Sequence, residues 1–158
     1  MAVEIKAPNS LISDGVSVFL AGSIEMGTAQ EWQQKVVDSL VDTTITIFNP
    51  RRDDWDSSWE QTIENKEFNE QVTWELKGLE QADIVAVYFD PDTKSPVTML
   101  ELGLYARSGK LVVCCPQGFN RKGNIDIVCQ RYGIEQVESL DELVASIKDR
   151  AKRSISEE

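Results

Sequence analysis

Glu101 stands as a lone acid in an apolar turn, Met99-Leu100-Glu101-Leu102-Gly103-Leu104. Desolvating a carboxylate is costly unless partners or a task hold it in place. Its surroundings therefore mark it as a reactive group, either a nucleophile or a general base. The structural alternative is an acid hydrogen-bonded to the backbone or to an arginine. The chain contains no histidine. Ser-His-Asp and Cys-His catalysis in cis and histidine-ligated metals are thus excluded, and acid–base work falls to Asp, Glu, Tyr, Lys or Cys. With 27 acidic residues, carboxylate chemistry is the default. No metal or organic cofactor is expected for such chemistry.

Other candidate groups gather at the ends of apolar runs. Gly22-Ser23 follows the run Val16–Ala21. Its backbone N–H groups suit a phosphate or a sugar hydroxyl, although a glycine there also serves packing alone. It is no GxGxxG fingerprint, so dinucleotide binding is not indicated. Asn49-Pro50-Arg51-Arg52-Asp53-Asp54-Trp55 gathers amide, guanidinium, carboxylate and indole. Asn49, Arg51 and Asp54 suit the edge of a flat heterocycle that the indole stacks upon; the alternative is a solvated loop of Arg–Asp pairs. Asp90 lies just past Ile84–Phe89 as an active-site acid or as a turn residue in Asp90-Pro91-Asp92. Ser95 is placed to cap the Glu101 helix and to meet a phosphate. Glu75, judged by position alone, reads as a surface acid.

The elements that must hold these groups alternate. Strands are expected at Val16–Ala21, Thr44–Phe48, Ile84–Phe89, Lys110–Cys115 and Gln136–Val137. Helices are expected at Thr28–Leu40 (with Thr28 as N-cap), Asn65–Gln81, Pro96–Ser108, Asn124–Tyr132 and Leu140–Ala151. Continuous apolar strands between helices predict an α/β fold: a doubly wound, flavodoxin-like or Rossmann-like parallel five-stranded sheet with helices on both faces. Residues 15–152 form the single domain, with a flexible arm at 1–14 and a frayed tail at 153–158. Ligands of such sheets bind at the carboxyl ends of the strands, here Ala21–Met26, Asn49–Trp55, Asp90–Ser95 and Pro116–Gly123.

The bulk composition narrows the partners. A net charge of −11 argues against nucleic acid and anionic membranes but not against a small nucleotide. No stretch approaches a membrane span, and MAVEIKAPNS lacks the blocks of a leader peptide. Cys114, Cys115 and Cys129 have no CxxC spacing for zinc; they read as buried thiols in a reducing, cytoplasmic compartment.

Four segments in order carry a likeness: VFLAGSI (Val18–Ile24), IFNPRRDDW (Ile47–Trp55), WELKGLEQADIVAVYF (Trp74–Phe89) and SPVTMLELGLYARSGK (Ser95–Lys110). Over about residues 16–145 the chain resembles the nucleoside 2-deoxyribosyltransferase-like family, which includes relatives of the 2'-deoxynucleoside 5'-phosphate N-hydrolases. The resemblance implies that Glu101 attacks the anomeric carbon of a 2-deoxynucleoside, forming a sugar ester that a second base resolves with retention. It implies that Glu75, where relatives usually carry Asp, protonates the leaving base. Ser95 stands where transferases have an acid and where the N-hydrolases have a phosphate-binding serine. That departure leaves a hydrolase acting on a 5'-monophosphate, or a silent nucleotide-binding module, as alternatives. The tyrosine that orients the nucleophile in some relatives has no counterpart; Phe19 lies nearby. Gly22, Ser23, Asn49, Arg51, Asp54, Asp90 and Ser95 are expected to line the pocket, with Asn124 reaching in from a neighbouring subunit of a homo-oligomer. The partners implied are a nucleoside or nucleotide and a free nucleobase.

Overall fold

Strands and helices alternate along an open, all-parallel sheet in the computed structural model, which describes residues 1–23 and 31–156. In chain order the elements are β1 (Val3–Lys6), β2 (Ser17–Gly22), α1 (Trp32–Ser39), β3 (Thr46–Asn49), α2 (Lys66–Gln81), β4 (Ile84–Tyr88), α3 (Pro96–Tyr105), β5 (Leu111–Cys114), α4 (Lys122–Tyr132), β6 (Glu135–Val137) and α5 (Leu140–Ser156). The sheet order is β1-β3-β2-β4-β5-β6. Without β1, the order β3-β2-β4-β5-β6 is the flavodoxin-like one. Thr28 and the loop to Met26 lie outside the described residues.

The expected sheet needs one correction: it has six strands rather than five. The extra strand, β1, comes from the segment read as an arm, and it pairs with β3 from Val3↔Thr46 to Lys6↔Asn49. Its sequence, VEIK, mixes polar and apolar residues and stays partly exposed, as an edge strand does. The apolar-run signal that found the central strands is therefore absent from it. At the other end, α5 continues past Ala151 to Ser156.

Local signals explain the boundaries. Asn65 caps α2 by accepting the Phe68 N–H at 2.9 Å. Pro96 opens α3, and Gly133 ends α4 in the left-handed region at φ 64°. All six residues of β2 are buried. One face of the sheet packs Phe19, Phe48, Val87 and Phe89 against Trp74 and Leu79 of α2, Leu102 of α3 and Cys129 of α4. The other packs Leu20, Ile47 and Ala86 against Trp32 and Val36 of α1 and Leu143 and Ile147 of α5. Each fully buried Phe or Leu contributes roughly 1.5–3 kcal/mol. The chain leaves β2 for one face and β4 for the other. The crevice between their carboxyl ends is the topological switch point, where such sheets bind ligands.

Candidate active site

Four buried polar residues meet at that crevice. Ser23 extends β2 by donating its N–H to Tyr88 O at 3.2 Å. Its hydroxyl accepts the Asp90 N–H at 2.9 Å and contacts Thr93 Oγ1 at 2.9 Å. Thr93 Oγ1 is 2.7 Å from Ser95 Oγ, and the Ser23 and Ser95 hydroxyls also touch. Asp90, Thr93 and Ser95 are each 4% exposed, and Ser23 is 1% exposed.

Ser95 is the N-cap of α3, but its side chain makes no cap hydrogen bond and turns into this cluster instead. Its backbone is left-handed at φ 46°, a strained geometry for a residue with a Cβ that the surrounding hydrogen bonds hold in place. Asp90 takes the turn role as well, its Oδ1 accepting the Asp92 N–H at 2.9 Å. Gly22 serves packing: a Cβ there would lie 2.4 Å from the Trp32 ring and 2.5 Å from Tyr88 O. The Trp32 indole seals this corner by donating to Ser23 O at 3.2 Å.

The helix that Ser95 opens carries Glu101 on its buried side, 9% exposed. Neighbouring α2, on the same face of the sheet, brings Glu75 toward it. Burial pushes the Glu101 carboxyl up to about 8, with repulsion from Glu75 adding to the effect. Burial likewise pushes Glu75 up to about 7, against the pull of a hydrogen bond from Gln71 one turn earlier. The two acids thus share one low-dielectric space and together hold a proton near neutral pH. Tyr105, one turn after Glu101, feels burial first, then the charges of Glu80 and Glu101, and is raised accordingly.

The loop after β3 divides in two. Asn49 is 2% exposed: Nδ2 donates to Glu4 Oε2 at 2.8 Å, and Oδ1 accepts the Arg51 N–H at 3.1 Å. It ties β1 to the end of β3, a role that the missed strand concealed. Arg51 turns inward and donates Nε–H to Gln33 Oε1 at 3.0 Å. Gln71 donates to Pro50 O at 2.8 Å. Arg52 bonds Asp54 at 2.8 Å and Glu70 at 2.9 Å and lies over the Trp59 ring, and only 7% of its side chain is exposed. Asp54 is exposed, and its hydrogen bond to Arg52 keeps it below the ordinary carboxylate range. Trp55 packs edge-on against Trp59 and stays exposed.

The fold thus gathers Ser23, Asp90 and Ser95 at one point, Glu75 and Glu101 at a second, and Arg51 at a third. Asp54 remains in the solvated outer loop. Asn124 is exposed in the first turn of α4, and no hydrogen bond among the described residues joins it to the others. The sequence reading missed Gln33, Gln71 and Thr93. Only Gln71 had a signal, its i, i+4 spacing from Glu75. Among the described residues, no three His, Cys, Asp or Glu side chains gather as a metal site. No helix there is long and apolar enough to cross a membrane.

A family model described as nucleoside 2-deoxyribosyltransferase like matches residues 15–119. That span runs from just before β2 to the loop after β5 and contains every candidate site residue of the sequence analysis except Asn124. No curated protein matches the chain. A crystal structure of a conserved protein from Enterococcus faecalis V583 aligns with a TM-score of 0.62 and 16% identity, covering 86% of this chain and 99% of that one. At that identity the likeness is one of fold.

Proposed function

The chain belongs to the nucleoside 2-deoxyribosyltransferase-like family, and from that premise we propose that it is an enzyme that moves 2-deoxyribose between nucleobases. The observation that carries this reading is the pair of raised carboxyls, buried Glu101 on α3 and half-buried Glu75 on α2, close enough for Glu75 to repel the Glu101 charge. One Glu101 oxygen attacks the anomeric carbon. The C–N bond breaks, and its electron pair leaves with the base, which takes the proton of Glu75. The sugar remains as an ester of Glu101. A second base then attacks the same carbon and gives its N–H proton to Glu75, and the Glu101 carboxylate leaves. Two inversions give net retention.

The pair's single proton suits both roles. In the free protein the two carboxyls, both raised by burial, share it as a pair. A bound base offers an acceptor to Glu75, and positive charge growing on the sugar favours the anion at Glu101. Both effects draw the proton across to Glu75.

A second reading has its own support. The Ser23–Thr93–Ser95 hydroxyls lie where α3 begins, a setting that suits a 5'-phosphate. In that reading water resolves the ester and the enzyme is an N-glycosidase of a monophosphate. The outer side of α3 favours a homo-oligomer, because Val97, Leu100 and Leu104 are each more than half exposed at helical spacing. Asn124 at the start of α4 then serves a neighbouring subunit's pocket. Three buried free thiols fit a cytoplasmic location.

Incubation with a deoxynucleoside and a different free base separates the readings. Exchange of the base supports transfer, and release of the free sugar supports hydrolysis. Tight binding of the nucleoside with neither product would leave a silent binding module and defeat the proposal.

A further inference from the structure

Three buried polar atoms have no hydrogen-bond partner among the described residues: Gln33 Nε2, Arg51 Nη2 and Gln71 Oε1. Gln33 is fully buried and Gln71 is 7% exposed. Buried polar atoms without partners are costly, and a native fold keeps them where something else completes them. Their orientation is not open to choice. Gln71 must present its N–H₂ to Pro50 O, which only accepts, so Oε1 is left over. Gln33 must present Oε1 to Arg51 Nε–H, which only donates, so Nε2 is left over.

The three are linked in a row that begins at the proposed acid. Gln71 lies one turn before Glu75 and pulls against the rise of its carboxyl, Gln71 holds Pro50 O, Pro50 precedes Arg51, and Arg51 holds Gln33. Read along that row, the protein offers a donor (the Glu75 proton), an acceptor (Gln71 Oε1) and then donors (Arg51 Nη2 and Gln33 Nε2). We infer that Gln71, Arg51 and Gln33 are the specificity residues of this site, selecting a nucleobase whose edge runs acceptor, N–H donor, acceptor from the atom that Glu75 protonates. The inference rests on the glycosyl-transfer reading above.

Three bases have that edge. Adenine presents N7, the 6-amino group and N1; uracil, like thymine, presents O2, N3–H and O4. Hypoxanthine and guanine present N7, O6 and N1–H, and cytosine presents O2, N3 and the 4-amino group. In those the second atom is an acceptor that faces Gln71 Oε1, and the third is a donor that faces Arg51. A site built to pair a polar group discriminates strongly against an analogue that leaves its own buried atoms unpaired.

The test is a panel of four deoxynucleosides and their 5'-monophosphates, with kcat/KM read as base released. The account predicts deoxyadenosine over deoxyinosine and deoxyuridine over deoxycytidine, each by at least about tenfold. The preference is crossed: amino over oxo in the purine, oxo over amino in the pyrimidine. A merely steric pocket does not produce that reversal. Gln71→Leu is expected to slow all four and bring both ratios toward one, whereas a loss of fold would lower the rates and leave the ratios. Equal rates, or the same sense of preference in both rings, would overturn the inference. If none of the four is cleaved, the transfer reading fails separately. Calorimetry with free adenine, hypoxanthine, uracil and cytosine then decides this one: the crossed order supports it, and any other order or no binding overturns it.

Discussion

Replacing Glu101 with Gln removes a charge that the fold disfavours, and the effect on stability should depend on pH with a definite sign. In the unfolded chain this carboxyl titrates at its ordinary 4.5; in the fold, burial and Glu75 raise it to about 8. The folded state therefore binds more protons than the unfolded state between those values, so stability falls as pH rises through that window. Below the window both states hold the proton and nothing is lost. Above it the anion's cost is complete. Each tenfold change in proton affinity is worth ~1.36 kcal/mol, so the cost approaches about 5 kcal/mol by pH 9. At pH 5 it is still under about 1 kcal/mol. Urea unfolding of the wild type and of Glu101→Gln at both pH values measures the difference. The variant should gain on the wild type by up to about 4 kcal/mol between pH 5 and pH 9. A difference that stays constant, or a wild type that gains stability over this range relative to the variant, would show that Glu101 is solvated or paired, and the reasoning for a reactive carboxylate would fail.

Further outcomes follow from the same geometry. Glu75→Gln keeps the shape of the acid and removes its proton, so kcat should fall by about 10²–10⁴-fold. The loss should shrink for a substrate whose leaving base is stable as an anion, and a uniform loss across leaving groups would argue against the acid role. Gly22→Ala places a methyl group against Trp32 and the fixed Tyr88 carbonyl. It should destabilise the fold by about 1–3 kcal/mol in a urea titration, and a neutral result would refute the packing role given to this glycine.

Much of the architecture is legible in the residues. The central strands are predominantly apolar runs, and VSVFLA, ITIF, DIVAVY and KLVVCC read as buried on both sides. Their alternation with helices makes the parallel sheet and its switch point legible in the sequence. β1 escaped because an edge strand needs only a few apolar contacts, and VEIK shows as many polar side chains as apolar ones. With β1 unseen, the hydrogen bond from the Asn49 amide to Glu4 on that strand is not legible either. The carboxylates were legible for the opposite reasons: Glu101 is out of place among leucines, whereas Glu75 sits among polar neighbours and is identified by family likeness. Gln33 and Gln71 left almost no trace. A glutamine on an amphipathic helix looks like surface, and only the packing shows that both are buried with an atom to spare. Asp54 stands out in the sequence through its neighbours in the Arg51–Trp55 cluster; its carboxylate is exposed and bonded by Arg52.

Mass spectrometry of the intact protein, quenched in acid after brief exposure to a deoxynucleoside, tests the central claim most directly. The account predicts a mass increase of one deoxyribosyl unit, located on Glu101 by peptide fragmentation and absent from Glu101→Gln. Turnover of the nucleoside with no adduct, or an adduct on any other residue, would contradict it.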